Sequence, residues 1–411
     1  MPDAATHSAI TRAALQLQPF DTGDNSSLID DYSSWPDRYF SERRAEIMPY
    51  IFFLDGIQFH YPPDTPYNEL YRYWDMDENS NFHRSRPAVN ENFRHVSAGF
   101  RFYLDHILEH FARDEMEEGK KYLGCLIHML QDSTFGLHAL EGAGGSDAFM
   151  LDRLTGAEPA PSAILGRLRY RDDFTVPVHQ PRPLGSSAEE TVMRLYAEYC
   201  RVSADSRQCV FRYVMNTLEN RTERNFAEEQ RMFDNAVKLT ADTIWTVYRI
   251  ASRETGPVLP CRLEDLEPYQ FPFGGFGGYR FRSFLRNKAV DREGKPLPLK
   301  LDCGQYEHGL SFGTHLEGTL LYSVAPEVFR RFTCRIGLHA AFPVAGKVQL
   351  TWISHGRETE TFTLDPDCRS RLVDLPDPGG EFGLKFRSDP SCGVLVLADP
   401  LLLPENRQTS P

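Results

Sequence analysis

The chain lacks any apolar run of about eighteen residues, so no transmembrane helix is expected. Its opening, Met1 to Asp21, has neither a positively charged start nor an apolar core. No signal peptide is therefore expected, and the chain as written reads as cytoplasmic, or secreted if a leader has been removed. Basic residues are the minority: 45 Lys and Arg against 58 Asp and Glu give a net charge of −13. That balance excludes a duplex nucleic-acid partner gripped by a broad cationic face. Cysteine is sparse, eight in 411 residues with no Cys-x-x-Cys, which excludes a disulfide scaffold. Five of them (Cys261, Cys303, Cys334, Cys368, Cys392) fall in the last third, where one or two disulfides have room to form. With 41% apolar residues, a chain of this length buries a sizeable core and is expected to hold two domains.

The chain is organised around Tyr122-Leu-Gly-Cys-Leu-Ile-His128-Met-Leu-Gln-Asp132-Ser-Thr-Phe-Gly-Leu-His138. His128 and Asp132 are four apart, so on a helix they share one face. A neutral imidazole and a carboxylate so spaced can hold one divalent cation, and the second carboxylate oxygen can bridge to another. Leu123, Leu126, Ile127 and Leu130 frame the pair with apolar side chains, and a buried His and Asp need partners. His138 follows beyond a Phe-Gly step that should end the helix.

Thr6 to Leu15 reads as an opening helix capped by Thr6, with His7 in its first turn. Alone, His7 reads as a surface histidine. Trp35-Pro36-Asp37 and Phe59-His60-Tyr-Pro-Pro-Asp64 are turn-like, and by themselves Asp37 and His60 are a turn carboxylate and a loop histidine. Ser41 to Phe53 reads as helical. Phe93, Val96, Phe100, Leu104, Ile107 and Phe111 repeat at helical spacing, with His95, His106 and His110 read as exposed or structural. Glu115 to Gln131 is the helix carrying the central pair. Ser187-x-x-Glu190 is a capping box, and Phe233, Val237, Ile244 and Tyr248 stripe a final helix. From Thr255-Gly-Pro-Val-Leu-Pro260 onward alternation replaces helical periodicity: Phe332, Cys334, Ile336, Leu338; Val348, Leu350, Trp352; Phe362, Leu364. Short alternating strands between Gly, Pro and Asp breaks predict a β-sandwich. Phe273-Gly-Gly-Phe-Gly-Gly278 lacks the strand–helix context of a nucleotide loop and reads as a flexible entry loop. The expected architecture is an all-α domain over 1–255, a linker at 256–261 and a β-sandwich over 262–411.

Four motifs in one order resemble the zinc-dependent phospholipase C family, whose relatives include the fungal single-strand nucleases. They are Thr6-His7-x-x-Ile-Thr, Trp35-Pro36-Asp37, Phe59-His60 with its nearby Pro-Asp64, and Leu123-Gly-x-x-x-His128-x-x-x-Asp132-x-x-x-x-x-His138. The resemblance implies a helical bundle around one to three Zn2+ ions. One zinc would take Asp37, His60, His128 and Asp132; Asp132 would bridge to a second held by His7 and the N-terminal residue; His138 would hold the remaining one. Asp37 takes the role of general base toward a zinc-bound water. The chain departs from the family in lacking a Trp ahead of His7 and a His-x-x-x-Glu after the central motif. Glu141, Asp147 and Asp152 are the carboxylates available as substitutes, and His179 is a more distant candidate.

The second half resembles the NPCBM family of carbohydrate-binding modules over roughly residues 262 to 403. His308-Gly-Leu-Ser-Phe-Gly-Thr-His315, Tyr322-Ser-Val, Phe332-Thr-Cys-Arg-Ile-Gly-Leu338 and Val396-Leu-Ala-Asp399-Pro-Leu carry it, and it implies a galactose-binding-like sandwich. His308, His315 and Trp352 are sugar-contact candidates, or else packing and loop residues. Together the two resemblances imply a phospholipase C-type hydrolase of phospholipid or other phosphodiester substrates, with glycan as a partner of the sandwich. Two further readings are a nuclease-like phosphodiesterase and a catalytically degenerate scaffold that binds glycan or a partner.

Overall fold

The computed structural model describes residues 3–23, 26–36, 89–136, 156–270, 273–276, 279–282, 284–291, 293–313, 317–389 and 393–404. The chain divides into two compact units, Met1–Arg84 with Glu91–Gly256, and Ser85–Asn90 with Pro257–Pro411.

The regular elements described in the first unit are helices: α1 (Ala4–Gln16), α2 (Ser27–Tyr32), α3 (Val89–Ala112), α4 (Met116–Asp132), α5 (Pro161–Leu165), α6 (Ala188–Leu218) and α7 (Asn225–Ala251), with one 3-10 turn at Thr222–Arg224. The cap of α1 is Asp3 and not Thr6. The Asp3 carboxylate accepts from the Thr6 backbone N–H at 2.9 Å and from its hydroxyl at 2.7 Å. Three residues inside the helix, Thr6 is fully buried, and its Oγ1 accepts from the Tyr170 N–H at 2.9 Å. An N-cap side chain accepts from the N–H two or three residues on, so by taking the Thr6 N–H Asp3 starts the helix one turn earlier and leaves Thr6 inside it. Ser187 does cap α6, accepting from the Glu190 N–H at 3.2 Å. The return bond of the capping box lands one residue early, with Glu190 accepting from the Ser186 N–H at 2.9 Å.

The apolar stripe of α3 buries Phe100, Leu104, Ile107 and Phe111, and that of α7 buries Phe233, Val237 and Ile244. Nearly the whole surface of α4 is inside: from Tyr122 to Asp132 every residue is buried. A helix buried all round needs close neighbours, and Gly124 supplies room for one. A Cβ at Gly124 would lie 2.6 Å from Tyr32 Cβ and 2.8 Å from the Ile29 carbonyl oxygen, so α2 rests directly on the α4 backbone. Ser41 to Phe53 lies outside the described residues.

The second unit is a two-sheet antiparallel sandwich of ten strands among the described residues: β1 (Cys261–Arg262), β2 (Phe284–Arg286), β3 (Gly309–Gly313), β4 (Glu317–Val324), β5 (Phe329–Leu338), β6 (Val348–Ser354), β7 (Arg357–Leu364), β8 (Ser370–Pro376), β9 (Gly380–Ser388) and β10 (Val394–Pro404). One sheet runs β8-β5-β10-β3-β2, with β1 also pairing β10; the other runs β4-β9-β6-β7. The alternating residues read from the sequence point inward, with Phe332, Ile336, Leu338, Val348, Leu350, Trp352 and Leu364 fully buried. Phe332 from one sheet meets Trp352 and Phe382 from the other at ring-centroid distances of 5.2 and 4.8 Å, which marks the seam of the core. The stretch read as a flexible entry loop is instead a hairpin arm: Phe273–Phe276 pairs antiparallel with Tyr279–Arg282, and Gly277 and Gly278 lie outside the described residues. Cys261, Cys303, Cys334 and Cys368 are free thiols, so no disulfide forms among the described cysteines; Cys392 lies outside them.

Candidate metal centre

Three side chains far apart in sequence converge in the helical unit. His7 enters from the first turns of α1, His128 from the last turn and a half of α4, and Asp132 is the final residue of α4. All three are fully buried. The two imidazoles lie face to face, with centroids 4.4 Å apart and planes 26° from parallel. His7 Nε2 is 3.4 Å from Asp132 Oδ1, and His128 Nε2 is 3.3 Å from Oδ2. Ligand atoms of the three residues all lie within 4.8 Å of one another.

The outer side of each ring is pinned by an oxygen that can only accept. His128 donates from Nδ1 to the Ser33 carbonyl at 2.8 Å. His7 donates from Nδ1 to the Gln131 side-chain oxygen at 2.7 Å, and the amide nitrogen of Gln131 donates to Thr11 Oγ1 at 2.9 Å. A neutral imidazole with its proton on Nδ1 presents a lone pair at Nε2. In that form both Nε2 lone pairs face the Asp132 carboxylate, and the three side chains make a donor set that a cation can share. The carboxylate also sits at the negative end of the α4 dipole, in a last turn with no Lys or Arg.

The two His–Asp132 spacings suit a divalent ion such as zinc. Two donors at about 2.0–2.1 Å from a tetrahedral ion stand roughly 3.3–3.4 Å apart, the separation found here on both sides of Asp132. Each imidazole faces a different carboxylate oxygen, so the set suits either one ion or a carboxylate bridge. Nitrogen and oxygen donors with acceptors fixing the far ring nitrogens are the pattern of a zinc or related divalent site.

Of the residues expected at this site, the structure brings together His7, His128 and Asp132. Asp37, His60, His138, Glu141, Asp147 and Asp152 lie outside the described residues. His179 is engaged elsewhere, its Nε2 2.6 Å from Asp242 Oδ1. The sequence reading missed Ser33, Thr11 and Gln131, and it quoted Gly124 without giving it a role. Only Gly124 left a signal, a glycine one turn before a buried histidine.

In the sandwich, Trp352 is a core residue and offers no sugar platform. His308 is half-exposed, with Nδ1 3.5 Å from Oε1 of the buried Glu264. Burial pushes the Glu264 carboxyl above its ordinary value, with Arg262 and His308 opposing the shift. His315 lies outside the described residues.

No family model matches the chain, and no curated protein matches it. Solved structures give weak likenesses. Alpha toxin from Clostridium absonum is 10% identical with a TM-score of 0.34, over 97% of this chain and 93% of that one. Clostridium perfringens alpha-toxin from an avian strain gives 11% and 0.31, over 97% and 90%. A CBM51 from Clostridium perfringens GH95, solved with methyl-galactose, gives 15% and 0.27, over 35% of this chain and 99% of that one. Identities and TM-scores this low leave the reading of the chain resting on its own residues and geometry.

Proposed function

We propose that the chain is a zinc-dependent phosphoester hydrolase of phospholipase C type, acting on a phospholipid-like phosphodiester. In this reading residues 1–255 are the catalytic domain, 256–261 the linker and 262–411 a glycan-binding sandwich. The observation that carries it is the buried His7–His128–Asp132 set, with both imidazoles turned by Gln131 and Ser33 to face one carboxylate. Its support from sequence is the ordered series of motifs around His7, Asp37, His60 and His128.

His7 and His128 would hold the metal through Nε2, and Asp132 through either or both oxygens. Bound zinc lowers the pKa of its water toward neutrality and neutralises charge on phosphoryl oxygens. Leu123, Leu126, Ile127 and Leu130 of the same helix are fully buried, as are the three donors, and a dry surrounding strengthens the donors' hold on a cation. Ser33 and Gln131 keep the rings in one orientation through the reaction. Asp37 is our candidate for the base that orients or deprotonates the attacking water, and His60 and His138 for further ligands.

The test is hydrolysis of a chromogenic phosphocholine ester and of bis(nitrophenyl) phosphate, with and without a chelator. Chelator-sensitive turnover of the phosphocholine ester, restored by zinc, is expected. Turnover of bis(nitrophenyl) phosphate alone would favour the nuclease-like reading, and turnover of neither would contradict the hydrolase.

A further inference from the structure

We propose that Gln131 is a positioning residue: its side-chain amide selects the tautomer in which His7 is able to bind a metal. The proposal rests on the metal-centre reading above. A neutral imidazole carries its proton on either nitrogen, and only the Nδ1–H form offers Nε2 as a ligand. Gln131 decides between them by which end of its amide faces the ring. The carbonyl oxygen lies 2.7 Å from His7 Nδ1, and the amide nitrogen is turned the other way, 2.9 Å from Thr11 Oγ1. Were the amide reversed, its N–H would face Nδ1 and His7 would carry its proton on Nε2, against Asp132, with no lone pair for a cation.

Gln131, His7 and Thr11 are each fully buried, so water competes for none of these bonds. Thr11 stands one turn beyond His7 on α1, which lets one side chain of α4 grip two successive turns of that helix. Neutrality matters as well. A carboxylate at position 131 would add a second buried negative charge beside Asp132, whereas an amide directs the ring without charge. Asp132 supplies the charge of the site, and its neighbour supplies the direction of a ligand that is 124 residues away in sequence.

The experiment uses the full chain, with Co2+ as the probe because its visible ligand-field bands report binding without turnover. Wild-type protein, Gln131→Leu and Gln131→Glu are titrated, and the His7 tautomer is read in the metal-free proteins from long-range 1H–15N correlations. Wild-type His7 is expected to be protonated on Nδ1. Gln131→Leu is expected to lose that preference and about 10–100-fold in cobalt affinity. Gln131→Glu keeps an acceptor for Nδ1 and should keep the tautomer and bind more tightly than Gln131→Leu. If the leucine variant fails to fold, Thr11→Val, which removes only the far anchor of the amide, should bind cobalt more weakly than wild type, and wild-type affinity in it would overturn the proposal. Wild-type affinity in Gln131→Leu, or a proton on Nε2 in the wild type, would overturn the proposal alone. A wild-type protein that takes up no cobalt would overturn the metal centre and the proposal with it.

Discussion

His128 and Ser33 are joined by a bond from the imidazole Nδ1 to a backbone carbonyl at 2.8 Å, and that bond exists because Gly124 has no side chain. One turn before His128, the missing Cβ lets α2 close onto α4 until Tyr32 touches the helix backbone. Ser33, the next residue, then reaches the ring. The site is thus set by how closely two helices approach.

Gly124→Ala is expected to lower both stability and metal affinity. The added methyl would meet Tyr32 Cβ at 2.6 Å and the Tyr32 carbonyl carbon at 2.9 Å, and backbone atoms cannot step aside. Overpacking of this kind costs about 1–3 kcal/mol. A melting curve and a cobalt titration check it; a wild-type melting temperature would show that the approach is looser than described.

Asp132→Asn is expected to abolish stabilisation by metal. For the wild type, zinc at a hundredfold its Kd should add about 2.7 kcal/mol to unfolding. The variant loses the anionic donor and should show no rise. Chemical denaturation with and without zinc reads the difference, and an equal zinc effect in both proteins would mean that the ion binds elsewhere.

Asp3→Ala should destabilise α1 by about 0.5–2 kcal/mol through loss of its cap, while Asp3→Asn, also a good cap, should cost less. Burial alone would raise the Asp3 carboxyl, but bonds from Thr6 and the charge of Arg169 outweigh it and hold it below its ordinary 3.8. A lowered carboxyl stabilises the fold above its ordinary value. That contribution fades as pH falls through the folded-state value, so the cost of Asp3→Asn should shrink in acid. Urea midpoints across pH check both statements; a cost that grows in acid would contradict them.

Glu264 carries the opposite sign. Its folded-state pKa is raised, so its contribution is fully present below the ordinary 4.5 and is lost as pH climbs through the folded-state value. Glu264→Gln should gain stability over the wild type on going from acid to neutral pH, followed by denaturation of the full chain. A difference that does not change with pH would show that the His308 and Arg262 charges offset the burial fully.

The helical first half and the alternating second half were legible because their periods are local: 3.6 for the stripes of α3 and α7, two for β5, β6 and β7. The pairing of His128 with Asp132 was legible for the same reason. Gln131 and Ser33 were not, since their bonds to the histidines span 124 and 95 residues and leave no mark on neighbouring positions. Thr6 misled because Asp3, three residues earlier, is an equally good cap and starts the helix one turn sooner. The Phe273 hairpin was hidden by glycines, which weaken any strand signal.

The central claim is that His7, His128 and Asp132 hold zinc, and the most direct measurement is zinc per chain by elemental analysis of untagged protein. Wild type is expected to retain at least one zinc per chain after dialysis, and His128→Ala and Asp132→Asn to retain less. A wild type without zinc, or variants with an undiminished content, would contradict the account.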